Sequence, residues 1–163
     1  MATTYEAIAT VTVGSGGAAN IEFTSIPGTY TDLVVKMSSR ANADVVAVIC
    51  SVNGSALDSG IRIRGNGSTV ASASSAEAYG VNNSGATANT FSNAEWYFPN
   101  YTSSNNKSVS MDAVTENNAT DAYTSLNAGL ETTSSAITSL SFAPNGGNFV
   151  QYSTATLYGI KNS

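Results

Sequence analysis

The chain has no histidine and only one cysteine in 163 residues. Without histidine, Ser-His-Asp and Cys-His catalysis are excluded. One cysteine and no histidine also cannot fill a zinc shell. No intrachain disulfide can form, so this is not a stapled secreted scaffold. Cys50 ends the apolar run Val45-Val46-Ala47-Val48-Ile49-Cys50 and has no base or cation close by in sequence. It is expected to be a buried, inert thiol.

Charge is scarce as well. Charged residues make up 10% of the chain, against roughly 25% in an ordinary soluble domain. Six Lys and Arg face eleven Asp and Glu, for a net charge of −5. Nucleic acid and anionic membranes are therefore not expected partners, since both need clustered cations. The only local basic pair is Arg62 and Arg64. No apolar run approaches the roughly 20 residues of a membrane-spanning helix. Met1 to Glu6 lacks a basic patch followed by an apolar stretch. A soluble chain made in a cytoplasm without a signal peptide is expected. There is no repeat of fixed period and no heptad run.

What is present points to β-structure. Hydrophobic residues reach 42%, enough for a core, and the polar share is mostly Ser, Thr and Asn, with 14 glycines. That mixture suits short strands joined by tight turns. Tyr5, Ala7, Ala9, Val11 and Val13 alternate with polar residues, the period of a half-buried strand. Ile21 to Thr24 resumes the pattern, and after a Pro27-Gly28 turn Asp32 to Ser39, rich in β-branched residues, reads as the next strand. Val45 to Val52 is apolar on both faces and reads as a central strand, closed by Asn53-Gly54. Ile61-Arg62-Ile63-Arg64 alternates cleanly. Residues 68–93 read as a long polar connection with at most one weak strand. Ala94 to Phe98 and Ser108 to Val114 are strands. Asn117 to Ser135 reads as loop or irregular strand, with a short helix over Ala122 to Leu130 as the alternative. Ala136 to Ala143 and Phe149 to Ile160 close the chain. The expectation is an all-β single domain over residues 1–163: an antiparallel, jelly-roll-like β-sandwich of eight or nine short strands.

Candidate chemistry is thin. Glu95 and Asp112 are the best-placed carboxylates for glycoside hydrolysis, but their spacing fixes no pair. Gly14-Ser15-Gly16-Gly17 and Gly65-Asn66-Gly67 read as turns, because no helix follows to complete a phosphate site. Asp44, Asp58 and Asp121 could offer oxygen to calcium, yet no EF-hand spacing is present. No cofactor or metal is expected. Trp96, Tyr97, Phe98 and Tyr101 cluster in one strand and its exit turn. Alternation sends Trp96 and Phe98 to one face, as core, and Tyr97 to the other, partly exposed. The sharper alternative makes Trp96, Tyr97 and Tyr101 a glycan or partner contact.

Two stretches carry a resemblance. Ser25 to Ala41 (SIPGTYTDLVVKMSSRA) places an Ile-Pro turn before an apolar strand ending in Ser-x-Arg. Thr154 to Ser163 ends in ATLYGIKNS. With Val52-Asn53-Gly54 and Ile137 to Phe142, these words resemble a family of small virion proteins from tailed bacteriophages, many of marine bacteria. The resemblance covers about half the chain, mostly at its ends, and departs at Gln151-Tyr152. It implies a β-sandwich or jelly-roll virion protein, usually oligomeric. Such proteins are variously described as capsid decoration, cement or tail-fibre proteins, and the family defines no catalytic residues. The expected function is therefore a non-enzymatic decoration or cement protein located in the virion. It would bind the major capsid protein or another virion protein as a homo-oligomer, with a trimer favoured. An appendage component touching the host surface and a carbohydrate-binding module are the alternatives.

Overall fold

The computed structural model describes residues 4–117 and 122–161. Those residues form thirteen strands and no helix. In chain order they are β1 (Tyr5–Thr12), β2 (Ile21–Phe23), β3 (Asp32–Ser39), β4 (Ala47–Val52), β5 (Ser55–Ala56), β6 (Ser59–Gly65), β7 (Val70–Ser74), β8 (Ala78–Tyr79), β9 (Ser92–Phe98), β10 (Lys107–Glu116), β11 (Ala122–Glu131), β12 (Leu140–Pro144) and β13 (Thr154–Ile160). An eight-stranded sheet runs β1-β13-β3-β9-β10-β11-β6-β7, and a five-stranded sheet combines β2-β12-β4-β5 with β8 beside β4. All the strand pairings are antiparallel. The expected all-β, sandwich-like architecture is what the chain adopts.

One hydrophobic core joins the two sheets. Trp96 of β9 meets Phe142 of β12 across the layers, ring centroids 5.3 Å apart. On β9, Ser92, Ala94, Trp96 and Phe98 are buried while the residues between them are more open. That is the period of two expected from Ala94-Glu95-Trp96-Tyr97-Phe98. β4 lies within the small sheet between β12 and its β5 and β8 neighbours, as its apolar run suggested. The Asn53-Gly54 turn after it has φ of 50° and 88°, the left-handed pair a tight hairpin needs.

Four expectations are corrected. The strands number thirteen rather than eight or nine, because small-residue stretches such as β5, β7 and β8 also pair. Residues 68–93 are not a single connection, since they contain β7, β8 and the start of β9. Ala122 to Glu131 is a regular ten-residue strand rather than a loop, an irregular strand or a short helix, held between β10 and β6. Pairing on both edges overrides the weak local preference of its Thr, Ser, Asn and Gly. β1 also departs from strict alternation. Its register with β13 shifts between Ala7 and Ala9. Ile8 and Val11 then pack on the core, while Tyr5, Ala7 and Ala9 are exposed.

The two stretches that carry the resemblance are spatial neighbours. β3 pairs with β13 from Asp32↔Ile160 to Ser38↔Thr154. Thr31 donates its amide to the Ile160 carbonyl at 2.8 Å, and the Tyr30 ring lies over Gly159. A Cβ on Gly159 would sit 2.3 Å from Tyr30 Cγ, so no larger residue fits without moving the ring. Gly159→Ala is expected to destabilise the fold by about 1–3 kcal/mol through overpacking. Chemical denaturation against the wild type checks this, and an unchanged midpoint would show that Tyr30 yields freely.

Candidate functional site

The large sheet changes polarity partway across. One row of register partners on its outer face reads Thr10, Thr156, Lys36, Glu95, Asp112, Leu126, Ile63, Ser72. The adjacent inner row reads Leu157, Val35, Trp96, Met111, Asn127, Arg62, Ala73. Up to β10 the inner face is apolar and the outer face polar, as in an ordinary sandwich. In β11 and β6 the sense is reversed, and β7 adds Val70 with Ser72 and Ser74 to the outer face.

The outer face of β11 and β6 is accordingly mostly apolar, β7 adds Val70 beside Ser72 and Ser74, and none of these residues is charged. Leu126 is 60% exposed, Ile61 61%, Ile63 53% and Val70 78%. Leu126 lies opposite Ile63, and Ala128 opposite Ile61. Val114 and Leu130 extend the patch. Every residue of β7 is exposed, and its far edge is unpaired within the sheet. Contiguous apolar surface of this kind marks an interaction face more often than scattered single residues do.

The inner face of the same strands holds a cavity. It has a volume of about 230 Å³ and is lined in part by Arg64, Tyr79, Asn83, Tyr123 and Ser125. The Arg62 guanidinium lies 3.9 Å from the Tyr79 ring centroid and donates to Tyr79 Oη at 3.0 Å. Arg64 lies 4.9 Å from the Tyr79 ring and 5.5 Å from the Tyr123 ring. Such cation–π placement holds a guanidinium by its face and leaves its N–H edge free. The ion pairs among the described residues are Lys36–Glu95 and Lys161–Glu6, so Arg64 has no carboxylate partner there.

One wall of the cavity is the irregular stretch 80–91, fastened from two sides. Arg40 donates to the carbonyls of Ala86, Thr87 and Thr90 at 2.7–3.2 Å. Glu116 accepts from the Thr87 amide at 2.7 Å and from the Thr87 and Thr90 hydroxyls. Arg40 is the arginine that ends the Ser-x-Arg word. Its planar fork suits several carbonyls at once.

The aromatic residues named from sequence do not form one surface. Trp96 is 1% exposed and Tyr101 0%, so neither can lie against a sugar ring, which corrects the contact reading for both. Trp96 belongs to the core, as the plainer reading had it. The Tyr101 hydroxyl donates to the Pro27 carbonyl and ties the exit of β9 to the turn before β3. Tyr97 is half-buried on the outer face, and its hydroxyl donates to Asp32 Oδ2 at 2.7 Å. That hydrogen bond, with burial second, pushes the phenol up to about 12.

Glu95 and Asp112 are cross-strand partners on open sheet surface, and Lys36 pairs with Glu95 at 2.9 Å. The lysine offsets the repulsion of facing carboxylates. Asp44 accepts from Asn83 at 2.7 Å. The Thr132 amide and hydroxyl hold Asp58 below the usual carboxylate range. Asp121 lies outside the described residues. Cys50 is fully buried, and burial pushes its thiol well above its ordinary value. Sequence reasoning passed over Arg64, Tyr79 and Tyr123, although the lone Arg62/Arg64 pair was a visible signal. No protein-family model matches the chain, and no curated protein or solved structure is significantly similar to it.

Two outcomes follow from this geometry. Trp96→Ala is expected to destabilise the protein by about 3–5 kcal/mol, as a large buried truncation does. A folded variant that had merely lost glycan binding would reverse the core assignment. Tyr97 should ionise later than an ordinary tyrosine in ultraviolet titration, and Tyr97→Phe should remove that late component. Its folded value is raised from 10.0 to about 12. Its contribution to stability is therefore complete below pH 10 and disappears as pH climbs towards 12. Solvent screening keeps that contribution small.

Proposed function

We propose that this chain is a non-enzymatic structural protein of a bacteriophage virion, a decoration or cement protein bound to the major capsid protein shell. The observation that carries the reading is the reversed polarity of the large sheet. A charge-free apolar face built from Ile61, Ile63, Leu126 and Val70 is a poor surface to leave in water. Burying each such side chain is worth roughly 1.5–3 kcal/mol before the costs of association. The resemblance carried by Ser25–Ala41 and Thr154–Ser163 supplies the virion setting. The free edge of β7 suits a homo-oligomer, with a trimer as the expected form.

A second reading, an appendage component that contacts the host surface, is favoured by the cavity at Arg64. Copy number in purified virions separates the two. A simple ratio to the major capsid protein supports decoration, and a few copies per particle supports the appendage. Absence from the particle overturns both. Leu126→Glu should leave the fold intact, because the side chain is 60% exposed. It should lower incorporation at least tenfold, since a docked carboxylate without a partner is strongly disfavoured. Undiminished incorporation would remove this face from the interface.

A further inference from the structure

We infer that the cavity beneath β6 and β11 is a binding site for a single acidic sugar, with Arg64 taking the sugar carboxylate. Arg64 is half-buried, held by two tyrosine rings, and makes neither an ion pair nor a hydrogen bond among the described residues. A guanidinium held in that way is pre-oriented for a planar anion, which it can grip with two parallel N–H bonds. Arg62 is committed to the Tyr79 hydroxyl and ring. Arg64 is therefore the one arginine of the pair that lines the cavity, and a single guanidinium suits a monoanion better than a dianion.

The remaining wall fits the rest of a sugar. Tyr123 offers an aromatic surface for C–H groups. Beside it, Asn83 already donates to Asp44 and accepts from the Gly85 amide, and Ser125 donates to the Tyr79 carbonyl, so only the second Asn83 N–H and spare oxygen lone pairs are left for a ligand. At about 230 Å³ the cavity is smaller than the roughly 300–1,000 Å³ that holds a drug-sized ligand. One sugar ring matches that space, and a long glycan would have to continue outside it. Glu116 also lines the cavity, but both of its carboxylate oxygens accept hydrogen bonds from Thr87 and Thr90. Those bonds fasten it to the 80–91 stretch, and the ion pairs among the described residues do not join it to Arg64. Inorganic phosphate shares the carboxylate's charge chemistry but has no use for the tyrosine or amide surfaces. An overall charge of −5 also opposes a dianion. The inference does not depend on where the protein is mounted, because its test uses the isolated full chain.

The test is titration of the full chain with D-galacturonate, D-galactose and inorganic phosphate, followed by calorimetry and by NMR of the tyrosine ring protons. Galacturonate should bind in about the millimolar range usual for small polar ligands. It should shift the Tyr79 and Tyr123 resonances, and galactose should bind at least tenfold more weakly. Arg64→Gln should weaken galacturonate by about ten- to a hundredfold, the worth of a charge-assisted hydrogen bond. Arg64→Lys, which keeps the charge but loses the fork, should fall between. If Arg64→Gln unfolds, the decision passes to the wild-type ring shifts and the galacturonate-to-galactose ratio. Equal binding of the two sugars, phosphate binding as tightly as galacturonate, an unaffected folded Arg64→Gln, or no binding of galacturonate would each overturn the assignment.

Discussion

The structure depends on where β3 lies. Six of its eight residues are buried, and it is paired along both edges, with β13 on one side and β9 on the other. Val34 faces outward and is still 0% exposed, flanked in register by Tyr97 and Tyr158. An apolar strand with both edges satisfied leaves no backbone group wanting a partner. Through β13 it fixes the C-terminal stretch and, beyond that, β1. Through β9 it fixes Trp96 against the second sheet. The Ser25–Ala41 word also reaches further than its own strand. Tyr30 closes over Gly159, Pro27 receives the Tyr101 hydroxyl, and Arg40 holds the 80–91 stretch.

From that centre the sheet extends past the cover its partner provides. β7 is exposed throughout, and Arg62 and Arg64 are half-buried where an ordinary sandwich would place core residues. Once the inner face is only partly covered, the usual rule that apolar residues point inward has less force. Arginines can then project inward and still reach solvent along one side. The isoleucines of the same strand must go to the other face, because successive side chains alternate. The apolar patch and the arginine-lined cavity are thus two consequences of one register choice in β6. A one-residue slip would exchange them.

Scarcity of charge gives both features their weight. Only two ion pairs form among the described residues, each on the surface, and such pairs contribute little to stability. The fold rests on burial, on ladder hydrogen bonds and on side chains that satisfy loop backbone, as Asn53 does for Thr138 and Ser139. In such a molecule an arginine with no ion pair among the described residues and a face without charge both stand apart from their surroundings.

Much of the architecture was legible in the sequence. Periods of two marked β9 and β10 and the presence, though not the facing, of β1, β-branched content marked β3, Asn53-Gly54 marked its turn, and composition marked an all-β sandwich. β5, β7, β8 and β11 were not legible as regular strands. Their Ser, Thr, Ala and Gly have weak preferences, and only partners distant in sequence make strands of them. By itself the sequence determined the alternation of Ile61-Arg62-Ile63-Arg64, the burial of Cys50 and the absence of histidine chemistry. Only the tertiary structure decided which of the alternating residues faced water, and it brought Tyr79 and Tyr123 to Arg64 from separate strands. The reason is physical: alternation is a local property of an extended chain, whereas inside and outside exist only once a second layer lies against the first.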